Sequence, residues 1–256
     1  MPKPDLHGVK ILVTRPLAQA AGLSRDIQDL GGIPVSLPLL EIQPAKPDRQ
    51  GVLSLGQLET GDLLIFVSAN AVEFGVTYLP ATRVQIGAIG QATAERLGAA
   101  GIPVDMVPER FDSEGFLAIP SVQDLHGKRV VIVRGVGGRE TLGEALRARG
   151  GLVQYLEVYH RCCPHWDAQA VRLALDADVI TVTSGEALEN LAQLARLPGA
   201  EDVWRKPLVV YHMRIAGRAR ELGFTLKPVI TAKPSDAAML TALLHWANEH
   251  KGMEHA

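Results

Sequence analysis

Cysteine is nearly absent from this 256-residue chain: Cys162 and Cys163 are its only two, and they are adjacent. Adjacent cysteines supply no ordinary structural disulfide, so the sequence is expected to work in a reducing, cytoplasmic setting. Long apolar runs are missing too. The longest are strand-sized, and Met1 to Gly8 has no apolar signal-peptide core, which argues against membrane spanning and export. Nor is there an excess of one charge: 26 Lys and Arg face 28 Asp and Glu, a net charge of −2. A broad basic face for nucleic acid is therefore not expected.

Several catalytic signatures are also absent. No G-x-x-x-x-G-K-[ST], H-E-x-x-H or G-x-S-x-G segment occurs, so a P-loop, a zincin helix and an esterase elbow lack support. GVGGRE (135–140) follows a strand-like run and offers Gly135 and Gly137 as a G-x-G. Its third glycine position is Glu140, whose bulk and charge oppose a bound pyrophosphate. HRCCPH (160–165) gathers two His and two Cys, but adjacent side chains diverge and this is not zinc-ligand spacing. His245, His250 and His255 read as a solvated end.

What the chain does have is length and rhythm. A globular chain of this size buries roughly 70–75% of its unfolded surface, enough for one large core or two modest ones. Short Val, Ile and Leu runs alternate with helix-period segments closed by glycine, the grammar of α/β proteins with parallel sheets flanked by helices. VKILVTRP followed by LAQAAGLSRDIQDLGG is the first such unit. The grammar also repeats roughly 120 residues apart, the mark of a diverged duplication. Arg15 falls on Arg134, Leu23 on Leu142, Gly31 on Gly150, Ser68 on Ser184, Gly101 on Gly223 and Ser113 on Ser235.

Two strand-like segments at equivalent positions, 34–44 and 152–164, do not feed helices through short turns. They are expected to pair as a two-stranded antiparallel linker between two α/β bodies. The division expected is 1–36 with 166–256 as one discontinuous domain, 47–151 as the other, and 37–46 and 152–165 as linker strands. In that arrangement the 9–16 strand pairs with 177–184 rather than with 62–68.

Every strand-to-helix junction carries small or polar residues: Thr14-Arg15, Ser68-Ala69-Asn70, Gly90 to Thr93, Arg134-Gly135 and Thr183-Ser184-Gly185. In open parallel sheets these junctions form the carboxyl edge, where ligands bind, and helix starts there offer N–H groups to anions. Arg15, Arg134 and Arg139 add guanidinium forks suited to carboxylates. Arg15 and Arg134 are expected on exposed turns. Ser68 and Ser184 are placed to cap helices.

The ordered set ILVTRPLAQAAGL, LPLLEI, LLIFVSANAVEF, AIGQATAERLGAAG, VPERFDSEGFLA, VVIVRGVGGRETLGEALRARG and VQYLEVY resembles the uroporphyrinogen-III synthase family over nearly the whole chain. The resemblance implies two α/β bodies, an active cleft between them, and an enzyme that needs no metal or organic cofactor. It implies a hydro-lyase that converts linear hydroxymethylbilane into uroporphyrinogen III, losing water at ring A and inverting ring D through a proposed spirocyclic intermediate. Carried over by motif, the family's functional tyrosine matches Tyr159, its turn threonine Thr93 and its second turn serine Ser184. Where many members carry a second glycine-and-threonine turn, this chain reads His212-Met213-Arg214-Ile215, leaving His212 or Arg214 as substitutes. The expected site is Tyr159 as catalytic residue, with Arg15, Ser68, Asn70, Gly90, Thr93, Arg134, Gly135, Arg139 and Ser184 binding substrate. The expected partner is that substrate alone, with no nucleic acid or membrane, and the enzyme is expected to be a monomer. The competing reading is a non-catalytic two-lobed module that binds an anionic metabolite.

Overall fold

A computed structural model describes residues 5–251. The chain opens with β1 (Lys10–Val13), α1 (Leu17–Asp29) and β2 (Ile33–Ser36). Leu23 and Ile27 of α1 turn inward one helical turn apart. Gly31 then reverses the chain at φ +79°, a conformation that glycine adopts without a Cβ penalty. Next come β3 (Glu41–Pro44), α2 (Arg49–Gly56), β4 (Leu63–Phe66), α3 (Ala69–Gly75), β5 (Gln85–Ala88) and α4 (Gln91–Ala99). They are followed by α5 (Ser113–Ala118), β6 (Arg129–Gly135), α6 (Thr141–Ala148) and β7 (Leu152–Cys162). The described chain closes with α7 (Ala168–Asp176), β8 (Val179–Val182), α8 (Gly185–Leu194), β9 (Leu208–Val210), α9 (Met213–Leu222), β10 (Val229–Ile230) and α10 (Asp236–Lys251).

Ile42–Arg161 form one compact unit, and the described residues on either side of that segment form another. The flanking unit holds a five-stranded sheet in the order β10-β9-β8-β1-β2. β1 runs parallel to both β2 and β8. Period-two alternation sends Leu12, Ile180, Val182 and Val210 to one face, against Leu188 and Leu191 of α8 and Ala219 of α9. Ile11, Val13, Val179 and Val209 face α1 and α10, meeting Leu23, Ile27, Met239 and Leu243. Because both faces are covered, the central strands are mostly apolar, and the buried Thr181 hydroxyl of β8 is satisfied by the Leu12 carbonyl at 2.9 Å.

The other unit repeats this plan with the sheet order β3-β7-β6-β4-β5. Leu64, Phe66, Val131 and Val133 pack on Ala71 and Val72 of α3 and Leu97 of α4. Leu63, Ile65, Val130 and Ile132 pack on Phe116 of α5 and on Leu142 and Leu146 of α6. A parallel bridge between Gly87 and Met106 stands beyond β5 as β10 stands beyond β9, so the sequence repeat maps onto one strand order. The matching helix caps are Asp112 and Ser235, one residue out of the alignment that pairs Ser113 with Ser235.

The segment 152–165 is more than a linker. From Leu152 to Tyr159 it runs parallel to β6 as an interior strand, because Val153 and Leu156 have apolar neighbours on opposite faces of that sheet. Within 37–46, β3 lies beside β7, and the Ala45 N–H donates to the Val158 carbonyl at 2.9 Å.

Candidate active site

At the carboxyl end of β4, Ser68 leaves the strand in extended conformation and its Oγ accepts the Ala71 N–H at 3.1 Å, capping α3. Ser184 does the same for α8, accepting the Ala187 N–H at 3.1 Å. Ser68 has a second contact: its hydroxyl lies 3.2 Å from that of Tyr159. Replacing either serine by alanine should remove a cap worth about 1 kcal/mol. Only Ser68→Ala should also slow turnover, which paired melting and turnover assays would show.

Tyr159 is only 2% exposed, and a break in strand register puts it there. Arg134 pairs with Glu157, but Gly135 pairs with Tyr159, so Val158 is bulged out and the side chains beyond it are re-aimed. The Tyr159 ring then lies on the bare Cα of Gly135. A Cβ there would meet the ring's Cε2 at 2.6 Å and Cζ at 2.7 Å. Gly135→Ala should therefore push the phenol off Ser68, costing about 1–3 kcal/mol in overpacking and lowering turnover. Thermal melts and a turnover assay of that variant check both effects.

Arg134 is not on an exposed turn; it is 7% exposed. Its guanidinium lies 3.5 Å from the centre of the Tyr155 ring. It pairs with Glu140 at 2.8 Å and Glu157 at 3.1 Å, and donates to the carbonyls of Gly138 at 3.0 Å and Arg139 at 3.3 Å. Tyr155 donates to Glu140 at 2.6 Å. That bond, followed by Arg134, holds the Glu140 carboxyl below its ordinary pKa, while burial and then the same bond raise the Tyr155 phenol. Gly137 N–H donates to Glu157 at 3.2 Å, so an amide of the glycine-rich turn is already spent on a carboxylate rather than a phosphate. Arg134 thus clamps the turn that carries Gly135 and Arg139.

Arg134, Gly135, Arg139, Tyr155 and Tyr159 line one cavity of about 580 Å³ within the 42–161 unit, with Ser113 and Arg161 on its wall. Arg139 is exposed there and has no ion-pair partner among the described residues. Sequence reasoning missed Tyr155 and Arg161. Tyr155 sits two residues before Glu157 in β7, and Arg161 lies inside the His and Cys run, which drew attention to metal ligands instead.

The other expected residues fall along the two carboxyl edges. Asn70 lies half-exposed in the first turn of α3, Gly90 caps α4 through its backbone, and Thr93, inside that helix, is 4% exposed. In the flanking unit Arg15 is also no exposed fork. Its side chain is 12% exposed, pairs with Asp236 at 2.7 Å and donates to the Tyr211 hydroxyl, which in turn bonds Asp236 at 3.3 Å. Ser184 stands on that edge as well. His212 and Arg214 are exposed at the start of α9.

A second cavity, about 640 Å³, opens at the amino edge of the flanking unit's sheet and is lined by His7, Asp178, Arg205, Lys206 and Trp246. It contains none of the expected site residues, and its Lys206 is committed to the Leu175 and Ala177 carbonyls. Among the described residues no three His, Cys, Asp or Glu side chains come together to hold a metal ion. No described helix is long and apolar enough to cross a membrane. His245 is exposed and pairs with Glu249 at 3.3 Å, while His255 lies outside the described residues.

Comparison with known proteins turns this geometry into a family assignment. The family model for uroporphyrinogen-III synthase HemD matches residues 21–241. The uroporphyrinogen-III synthase of Escherichia coli K12 is 34% identical over 242 residues, covering 90% of this chain and 98% of that protein. That of Synechococcus elongatus is 30% identical over 205 residues, covering 76% of this chain and 77% of the relative. In fold, the chain resembles the Helicobacter pylori enzyme with a TM-score of 0.61 at 17% identity, over 93% of this chain and 99% of the other. It resembles a mutant Thermus thermophilus enzyme with a TM-score of 0.56 at 19% identity, over 95% of this chain and all of that one. On these matches, which span nearly the full chain, the protein belongs to the uroporphyrinogen-III synthase family.

Proposed function

We propose that this synthase closes hydroxymethylbilane to uroporphyrinogen III at the carboxyl-edge cavity of the 42–161 unit, with Tyr159 assisting the departing hydroxyl. The observation that carries this reading is the Ser68–Tyr159 contact at 3.2 Å beside that cavity. Ser68 Oγ accepts from the Ala71 N–H and still has its own hydrogen to give to the Tyr159 oxygen. The phenol hydrogen is then left to point at substrate, and donation along the chain Ala71–Ser68–Tyr159 strengthens it.

The reaction asks little else of the protein. Loss of hydroxide leaves an azafulvene stabilised by its own pyrrole, so a hydrogen bond to the leaving oxygen lowers the first barrier. Holding ring D folded for attack at its substituted carbon lowers the second. No step needs a resident metal or organic cofactor. Arg139 and the amides at the helix starts receive the substrate's carboxylates. The intertwined division of the chain belongs to the same reading, supported by the pairing of β1 with β8. So does a cytoplasmic monomer. Two adjacent cysteines support the reducing compartment, and exposed large apolar side chains spread over many elements support the monomer.

Incubating the protein with freshly made hydroxymethylbilane and separating the cyclised isomers tests the function. Inverted type III product is expected well above the type I isomer that forms without enzyme. A non-catalytic binding module would leave the isomer mixture unchanged.

A further inference from the structure

We propose that Tyr155 is a positioning residue: by holding the Glu140 carboxylate against β7, it presents Arg139 to the carboxylates of the bilane. The inference rests on the reading above, in which Arg139 receives those carboxylates.

Arg139 follows Gly135, Gly137 and Gly138, and Gly137 stands at φ +69°, so the backbone ahead of it has little stiffness of its own. Side chains supply what the glycines lack. Arg134 takes the carbonyls of Gly138 at 3.0 Å and Arg139 at 3.3 Å. Immediately after Arg139, the Glu140 carboxylate accepts the Tyr155 hydroxyl at 2.6 Å and pairs with Arg134 at 2.8 Å, with Arg147 at 3.8 Å. Glu140 stands at the start of α6, where a side-chain oxygen can accept a free amide, yet it makes no cap and crosses to β7 instead.

The helix leaves room for this crossing. Position 143 is glycine, an unfavourable residue inside a helix, and a Cβ there would overlap the Tyr155 hydroxyl oxygen and stand 2.8 Å from its Cζ. The Arg134 guanidinium, 3.5 Å from the ring centre, fixes the Tyr155 ring in turn.

The Tyr155–Glu140 bond serves Arg139 in two ways. It pins the next residue in sequence, so the backbone is held on both sides of a guanidinium that is exposed on the cavity wall. It also keeps a competing carboxylate away. Glu140 is held below its ordinary pKa by this bond first and Arg134 next, so it is ionised, and set loose it would compete with substrate for Arg139. The reacting end is held separately, by the Val136 N–H on the Tyr159 carbonyl at 2.8 Å and by the Ser68 contact.

The test is a double-mutant cycle on hydroxymethylbilane with Tyr155→Phe, Arg139→Gln and the two together. Tyr155→Phe keeps the ring on Arg134 and removes only the hydroxyl. It should raise KM by about 3–10-fold, the worth of one hydrogen bond, with kcat little changed. Arg139→Gln should raise KM by about 10–100-fold, the loss of a charge-assisted contact. In the double variant the tyrosine change should add nothing, because it acts through Arg139. A tyrosine effect that persists in full without Arg139 overturns the proposal, by showing a direct substrate contact or a general loss of structure. An unchanged KM for Tyr155→Phe beside a raised KM for Arg139→Gln overturns this inference and leaves the reading beneath it standing. An unchanged KM for Arg139→Gln removes Arg139 from carboxylate binding, and the role of Tyr155 with it.

Discussion

Tyr159→Phe should lower turnover by about 10–1000-fold with little change in melting temperature. The ring keeps its packing on Gly135 and its tilted contact with Phe74, whose centroid is 6.1 Å away. Only the hydroxyl is lost, and with it the contact to Ser68 at 3.2 Å. Ser68 retains the Ala71 N–H, so the cap survives and the fold loses little. On the proposed role the effect falls on the transition state, where the phenol donates to the departing oxygen. Bilane that leaves a failed active site closes without inversion, so the variant should also release more type I isomer. Near-normal rate with only inverted product would remove Tyr159 from the mechanism.

Arg134→Ala should have the largest effect on stability, about 2–4 kcal/mol. Removing the guanidinium strips the face of the Tyr155 ring and leaves Glu157 and Glu140 without their shared cation. Both carboxylates keep some contact with water, which holds the cost below that of a fully buried orphaned charge. The Gly138 and Arg139 carbonyls lose their donor at the same time, so the turn carrying Gly135 loosens. At about 2–4 °C per kcal/mol in a chain of this size, the unit's melting transition should fall by several degrees. Arg134→Lys should recover only part of this, because an ammonium cannot serve both carboxylates and both carbonyls while stacking on a ring. An unshifted melt would mean that the cluster contributes nothing net.

Much of the fold is legible in the sequence because its determinants are local. LLIF is apolar throughout and VITV nearly so because both faces of each strand are covered, with the Thr181 hydroxyl donating to the Leu12 carbonyl at 2.9 Å, and Gly31 and Gly223 stand at turns with positive φ. The match of Ser68 with Ser184 was also legible, since a cap depends on one side chain and an amide three residues on. The site was legible in residue type but not in partnership. Arg15 and Arg134 were correctly placed at strand ends. Their burial depends on Asp236 and Glu157, which lie far along the chain and meet them only once the sheets form. The bulge at Val158 leaves no mark in a one-strand pattern, because it exists only in the register between β6 and β7. Without it neither the seating of Tyr159 on Gly135 nor the place of Arg161 can be derived.

A crystal structure with uroporphyrinogen III bound under reducing conditions shows where the bilane reacts. With the chemistry at the cavity beside Tyr159, a pyrrole is expected within hydrogen-bonding reach of the Tyr159 hydroxyl, and product carboxylates on Arg139 and at the helix starts of the 42–161 unit. Product seated instead at the amino-edge cavity around His7, Lys206 and Trp246, with the Tyr159 cavity empty, would contradict it.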